Sequence, residues 1–324
     1  MLECCNLCGF KCNVNRNERR GVCGLSADVK VSLVSIHNWE EPCISGTKGS
    51  GTVFFTGCNL SCMFCQNYEI SQDNFGKVIS IDRLAEIFIE QQERGVHNIN
   101  LVSPTPYVPA IIKALDVAKK KGLTIPIVYN TNGYDSIETI KMLDGYVDIY
   151  LPDFKYFDDD IAFKYSKVPN YFENVSNLLI EMQKQVGKAQ FDENGIMRKG
   201  LIIRHLIMPG NVLQTKKVLD WIKENMPKDI YISIMAQYFP TYKAKEDSLI
   251  NRKISKREYD MVLEMIQDFE NGYVQELRWT WGRICSQVWF KRCLVEICYF
   301  FERGKYELRR ICSKSYFIWS RTFN

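Results

Sequence analysis

Three cysteines, Cys58, Cys62 and Cys65, stand with three and then two residues between them. Thiolates placed so close in sequence can converge on one metal centre. A structural zinc takes four ligands. A cubane iron–sulfur cluster also takes four cysteines. Three ligands leave one iron with an open position, which points to chemistry and not to mere structure. A zinc loop completed by a distant ligand, or three unrelated core cysteines, is the plainer alternative. A second group, Cys5, Cys8, Cys12 and Cys23, supplies four thiolates within 19 residues. Four thiolates close a tetrahedral zinc site or hold a further cluster, and spacing alone does not decide between them. Cys4 is adjacent to Cys5 and within the same reach. Cys43 stands alone and reads as a buried small hydrophobe.

Other candidates are polar. Asp153 and Lys155 are an acid–base pair two residues apart, hence on one face of a strand. Arg204 and His205 are neighbours and point to opposite faces of theirs. A guanidinium suits a carboxylate bidentately. Ser103 and Thr105 lie in a Ser-Pro-Thr-Pro-Tyr run, and Asn130, Thr131 and Asn132 precede Gly133.

The elements that must position these residues alternate. Short apolar runs at 52–56, 98–102, 125–130, 147–151, 200–207 and 230–235 read as strands buried on both faces of a parallel sheet. Helix-period runs lie between them, at 80–94 and 212–225 for example. Ser255 and Glu258 make a capping box ahead of Tyr259, Val262, Leu263 and Ile266. Alternation repeated about six times predicts a parallel α/β fold, as a barrel, a partial barrel or an open sheet. In each case the active site belongs at the C-terminal ends of the strands. Cys58, Ser103, Asn130, Asp153 and Pro209 all follow a strand, so the chemistry-bearing residues share that edge.

Composition narrows the class. Of 324 residues, 46% are hydrophobic and 25% charged, the balance of a globular protein and too apolar for disorder. No run of 18 apolar residues exists, and the N-terminus lacks a basic-then-apolar pattern, so neither a spanning helix nor a secretory signal is expected. Nine of the 13 cysteines fall in the first 65 residues. In an expected cytoplasmic setting, that clustering reads as metal ligation or redox chemistry. The net charge of +4 belongs to residues 278–324, which hold ten Lys/Arg against three Glu. The body therefore gives no reason to invoke nucleic acid or a membrane.

The Cys58–Cys65 loop resembles the signature of the radical S-adenosylmethionine (SAM) enzymes. The segments 40–46, 49–67, 98–109, 129–133, 148–155 and 204–210 resemble the pyruvate formate-lyase activating enzyme-like group within it. Together the resemblance runs from residue 4 to about residue 277. It implies a partial (β/α)6 TIM-like barrel over 51–277, behind a cysteine-rich extension at 1–50. It implies a 4Fe-4S cluster on Cys58, Cys62 and Cys65, with SAM chelating the open iron. One electron would then give a 5′-deoxyadenosyl radical that abstracts hydrogen from the substrate.

The resemblance also assigns roles to single residues. Phe64 would pack near the adenine. Ser103 and Thr105 stand where the family has its Gly-Gly-Glu segment and would accept the SAM ammonium. Asn130 or Asn132 would meet the ribose hydroxyls, with Thr131 between them as a further cofactor-binding candidate. Asp153, Lys155, Arg204 and His205 are the catalytic candidates, with Arg204 suited to the SAM carboxylate. The leading activity is activation of a glycyl-radical enzyme, with a flavodoxin- or ferredoxin-like electron donor. The alternatives are radical chemistry on another protein or a small molecule, and a non-catalytic zinc or iron–sulfur scaffold. Residues 278–324 match nothing in the family. Their Arg, Cys, Trp and Phe richness resembles an out-of-frame reading, with a membrane-surface or partner-binding tail as the rival.

Overall fold

In the computed structural model, residues 2–277 are described, together with the backbone of residues 298–302 and 305–309. The expected strands form. They are β2 (Ser50–Phe55), β3 (Ile99–Val102), β4 (Ile127–Thr131), β5 (Ile149–Pro152), β6 (Met197–Leu206) and β7 (Tyr231–Met235), preceded by β1 (Lys30–His37). Each of β2 to β7 pairs in parallel with the next in the chain. Helices cross over between them, including α1 (Ile81–Glu93), α2 (Val108–Lys120), α3 (Tyr171–Val186), α4 (Val212–Asn225) and α5 (Lys256–Met265). Sequential parallel order with a helix after each strand makes a partial (β/α) barrel, as the resemblance implied.

Two elements were not legible. β1 lies in the stretch expected to be irregular and pairs antiparallel with β2. Its residues are half-buried on both faces, so the run shows neither clean alternation nor an apolar block. β8 (Asn271–Gln275) is a seventh parallel strand beside β7. It carries Gly272 and only Tyr273 and Val274 as apolar residues, too few to read as a buried strand from sequence. Beyond it, β9 (Cys298–Glu302) and β10 (Lys305–Arg309) continue the sheet antiparallel. The rest of the basic, aromatic tail lies outside the described residues.

Helix boundaries follow from local chemistry. Ser80 caps α1 by accepting from the Arg83 N–H at 3.1 Å. The capping box is present at α5: Ser255 accepts from the Glu258 N–H at 3.2 Å and Glu258 accepts from the Ser255 N–H at 2.7 Å.

The core has two parts. The larger lies between the sheet and the helices, with Leu84, Phe88, Ile111, Leu115, Leu178 and Val218 fully covered. The smaller fills the inside of the curved sheet, where Val128, Ile149, Leu151, Ile202 and Tyr273 pack with Cys43 and Ile44. Cys43 is thus the small buried hydrophobe expected of it. Along β4 the inner face changes from Val128 to Asn130 as the strand nears its C-terminal end, so the lumen turns polar where the site begins.

Candidate functional site

The loop after β2 holds the cysteine trio and is latched at several points. Gly57 N donates to Ile70 O at 2.9 Å, Ser61 N to Ser166 O at 3.0 Å and Met63 N to Tyr165 O at 2.9 Å. Each sulfur has a polar neighbour. Asn132 Nδ2 lies 3.2 Å and Leu60 N 3.4 Å from Cys58 Sγ, Ser166 Oγ lies 3.0 Å from Cys62 Sγ, and Ser71 Oγ lies 3.1 Å from Cys65 Sγ. Burial pushes the Cys58 thiol up to about 12, and Cys62 and Cys65 add to it by repulsion. Burial also raises Cys62, to about 11, with Lys155 opposing and Cys65 adding. The three thiols are thus close enough to feel one another's charge.

Among the described residues, no three His, Cys, Asp or Glu side chains are grouped to hold a single metal ion. A single zinc needs every sulfur about 2.3 Å away. A cubane cluster places each thiolate on a different iron, so its cysteines stand further apart. Three mutually repelling thiols on one loop supply the donor set of a cluster that leaves one iron without a cysteine.

Beside the trio runs a network of charges. Arg204 Nε donates to Asp153 Oδ1 at 2.9 Å, Nη2 to Asn130 Oδ1 at 2.5 Å and Nη1 to Glu40 Oε2 at 3.4 Å. Lys155 Nζ donates to Asp153 Oδ2 at 2.5 Å. Burial would raise the Asp153 carboxyl, but Arg204 and Lys155 outweigh it and hold it below its ordinary range. Burial would lower Lys155, but Asp153, with Cys62 adding, holds it above. Burial dominates at Glu41 and raises it, with Arg204 opposing.

The other expectations divide. Asn132 lies at the cysteine loop, bonded to Cys58 and, at 2.7 Å, to Asn59 Oδ1. Gly133 has φ +78°, and a side chain there would begin 2.4 Å from Asp153 O, so the turn after Asn132 requires glycine. Ser103 takes a left-handed backbone, φ 56°, and its N–H donates to Asn130 O at 3.0 Å. Phe64 is buried, its ring 5.8 Å from that of Tyr238.

Three expected residues are not brought into the site. Thr131 faces outward from β4 and donates to Asp135 Oδ2 at 2.5 Å. Thr105 is buried against the N-terminal cysteines. His205 is 2% exposed, with Nδ1 2.7 Å from Phe154 O and Nε2 2.9 Å from Thr215 Oγ1. Both its nitrogens are occupied and burial lowers it to about 4, so it is a neutral packing residue and not an acid or base for substrate.

Sequence reasoning missed Glu40, Glu41, Asn59, Ser71 and Ser166. Asn59 sat inside the signature loop and was overlooked. Ser166 meets Cys62 across 104 residues of chain, and no local pattern marks it.

The model of the radical SAM superfamily matches residues 52–222, just over half of the chain. This chain belongs to the radical SAM superfamily. Membership implies an enzyme that uses a 4Fe-4S cluster and SAM. The protein is also 35% identical over 277 residues to an uncharacterised protein of Methanocaldococcus jannaschii, covering 82% of this chain and 75% of that one. Among solved structures it is similar to SuiB of Streptococcus suis bound to S-adenosylmethionine, with 15% identity, TM-score 0.43, and 65% of this chain and 45% of that one covered. It is similar also to the FeFe-hydrogenase maturase HydG of Carboxydothermus hydrogenoformans, with 12% identity, TM-score 0.44, and coverage of 66% and 49%. The radical SAM chain thus spans about half the length of these solved structures. Among the described residues, no helix is long and apolar enough to cross a membrane.

Proposed function

We propose that this chain holds a 4Fe-4S cluster on Cys58, Cys62 and Cys65, cleaves SAM reductively and abstracts a hydrogen atom from a bound substrate. The carrying observation is the convergence of three thiols, each with a polar neighbour, at the C-terminal edge of the barrel. When bound, the cluster and SAM supply the one-electron cleavage that yields a 5′-deoxyadenosyl radical.

The chain's own residues prepare the place. Asn132 and the Leu60 N–H point at the Cys58 sulfur, and Ser166 at that of Cys62, so hydrogen bonds spread thiolate charge and tune the potential. Lys155 brings positive charge toward Cys62 and is itself held by Asp153. Arg204 donates to Asp153, Asn130 and Glu40, so part of its work is to hold those groups in place.

The finer reading is that the hydrogen donor is a backbone glycine of a partner enzyme, served by a flavodoxin- or ferredoxin-like donor. The motif resemblance of segments 40–67, 98–109 and 148–155 supports it. Radical chemistry on another protein or a small molecule is the alternative. Electron paramagnetic resonance of the dithionite-reduced, reconstituted protein tests the site. Added SAM should change the spectrum of the wild type by binding the open iron. A spectrum indifferent to SAM, or a protein holding only zinc, would favour the scaffold reading.

A further inference from the structure

The four N-terminal cysteines, outside the trio, come together in space. Cys5, Cys8, Cys12 and Cys23 line one pocket with Arg16 and Asn59, and all four thiols are free. The Cys12 and Cys23 sulfurs lie 3.4 and 3.6 Å from where a Gly21 side chain would begin. Gly21 therefore leaves open the space between them. The knot is fixed within, where Cys5 N donates to Val14 O at 2.9 Å, and from outside, where Ser136 N donates to Leu7 O at 3.0 Å and Gly9 N to Tyr134 O at 3.2 Å. The pocket is thus docked on the loop after β4, beside the Cys58 site.

Arg16 supplies a second, independent observation. It is 1% exposed, and among the described residues its hydrogen bonds go to backbone carbonyls and not to a carboxylate. Its two terminal nitrogens donate to the carbonyls of Pro106 and Ser26, while Nε has no partner. Carbonyl dipoles satisfy hydrogens but leave the charge uncompensated. A buried cation lacking a counter-charge is costly, and the only groups in its pocket that could become anionic are the four thiols. Four thiolates around a dication carry a net charge of −2, which Arg16 would partly neutralise. Four thiolates suit zinc or a cluster by number; the pocket's place beside the Cys58 site, joined to it through Asn59 and Asn132, favours a redox-active cluster.

We infer that Cys5, Cys8, Cys12 and Cys23 bind a second iron–sulfur cluster, with Arg16 as its buried counter-charge. Asn59 lines this pocket and accepts from Asn132 Nδ2, which also reaches Cys58 Sγ, so two asparagines separate the two metal centres. The inference does not depend on the hydrogen donor of the first site.

The test uses the full chain, reconstituted anaerobically with iron and sulfide. Wild type should bind about eight irons, and the Cys58→Ala/Cys62→Ala/Cys65→Ala variant, whose N-terminal knot is intact, about four. Adding Cys8→Ser and Cys23→Ser to that variant should remove the remaining iron and its visible absorption. In the triple-variant background, Arg16→Met should lower the potential of the retained cluster. An iron-free triple variant, or one zinc in place of four irons, would overturn the assignment. An unchanged potential would overturn the role given to Arg16.

Discussion

Replacing Arg204 by leucine tests whether the charge network holds the barrel mouth together. The side chain is 13% exposed and contacts Asp153 at 2.9 Å, Asn130 at 2.5 Å and Glu40 at 3.4 Å. Hydrogen bonds to charged groups contribute about 1.5–3 kcal/mol each, so three would give an upper bound near 5–9 kcal/mol. Two features lower it. The Glu40 contact is long, and Asp153 keeps Lys155 at 2.5 Å after the change. Leaving Glu40 with Asn100 but without a cation works in the other direction. The expected loss is therefore about 3–5 kcal/mol, the usual cost of breaking a buried pair. Denaturant unfolding of the metal-free protein should show it as a lower midpoint with an unchanged slope. In a thermal scan it should appear as a fall of roughly 6–20 °C, at about 2–4 °C per kcal/mol. Asp153 is depressed in the wild type, so its contribution is present above its unfolded pKa and is lost as pH falls through the lower folded value. Without Arg204 that loss should begin at a higher pH. A destabilisation below about 1 kcal/mol with an unchanged acid limb would mean that the network is solvated, as exposed pairs are, and would refute the reasoning.

Four further outcomes follow from other sites. Asn132→Ala removes the side-chain donor to Cys58 and should lower the potential of the first cluster in a redox titration; an unchanged potential would contradict the hydrogen bond's role. His205 is buried neutral with its pKa lowered to about 4, so its contribution is complete above pH 6.5 and is lost as pH falls from there toward 4. His205→Gln should flatten that window of the stability–pH profile, and an identical profile would show that the ring is hydrated. Ser255→Ala should cost about 1 kcal/mol by deleting the α5 cap. Arg252 holds the Glu258 carboxyl down to about 2, so its contribution is lost as pH falls from 4.5 toward 2; Glu258→Gln should remove that acid sensitivity.

Much of the architecture was legible because parallel strands buried on both faces leave short apolar blocks. Val128, Ile149 and Ile202 fill the lumen while Tyr129 and Leu201 meet the helices, so both faces select apolar residues. β8 left no such block, because Gly272 and flanking polar residues interrupt it. The Cys58 loop was legible since its three cysteines are local in sequence. Ser166 and Glu40 were not, because they reach the site only after the chain has folded. His205 shows the opposite failure. A histidine beside Arg204 suggested catalysis, but alternation along β6 sends it to the helix side, where Thr215 and Phe154 O receive it. Thr131 fails for the same reason, one residue from Asn130 and on the other face of β4.

The most direct measurement is the yield of 5′-deoxyadenosine after dithionite and SAM are added to the anaerobically reconstituted protein. Wild type should form it, and the Cys58→Ala/Cys62→Ala/Cys65→Ala variant should form none. Absence of product from a wild-type protein that carries its full iron, or equal product from both proteins, would contradict the assignment of the radical chemistry to these three cysteines.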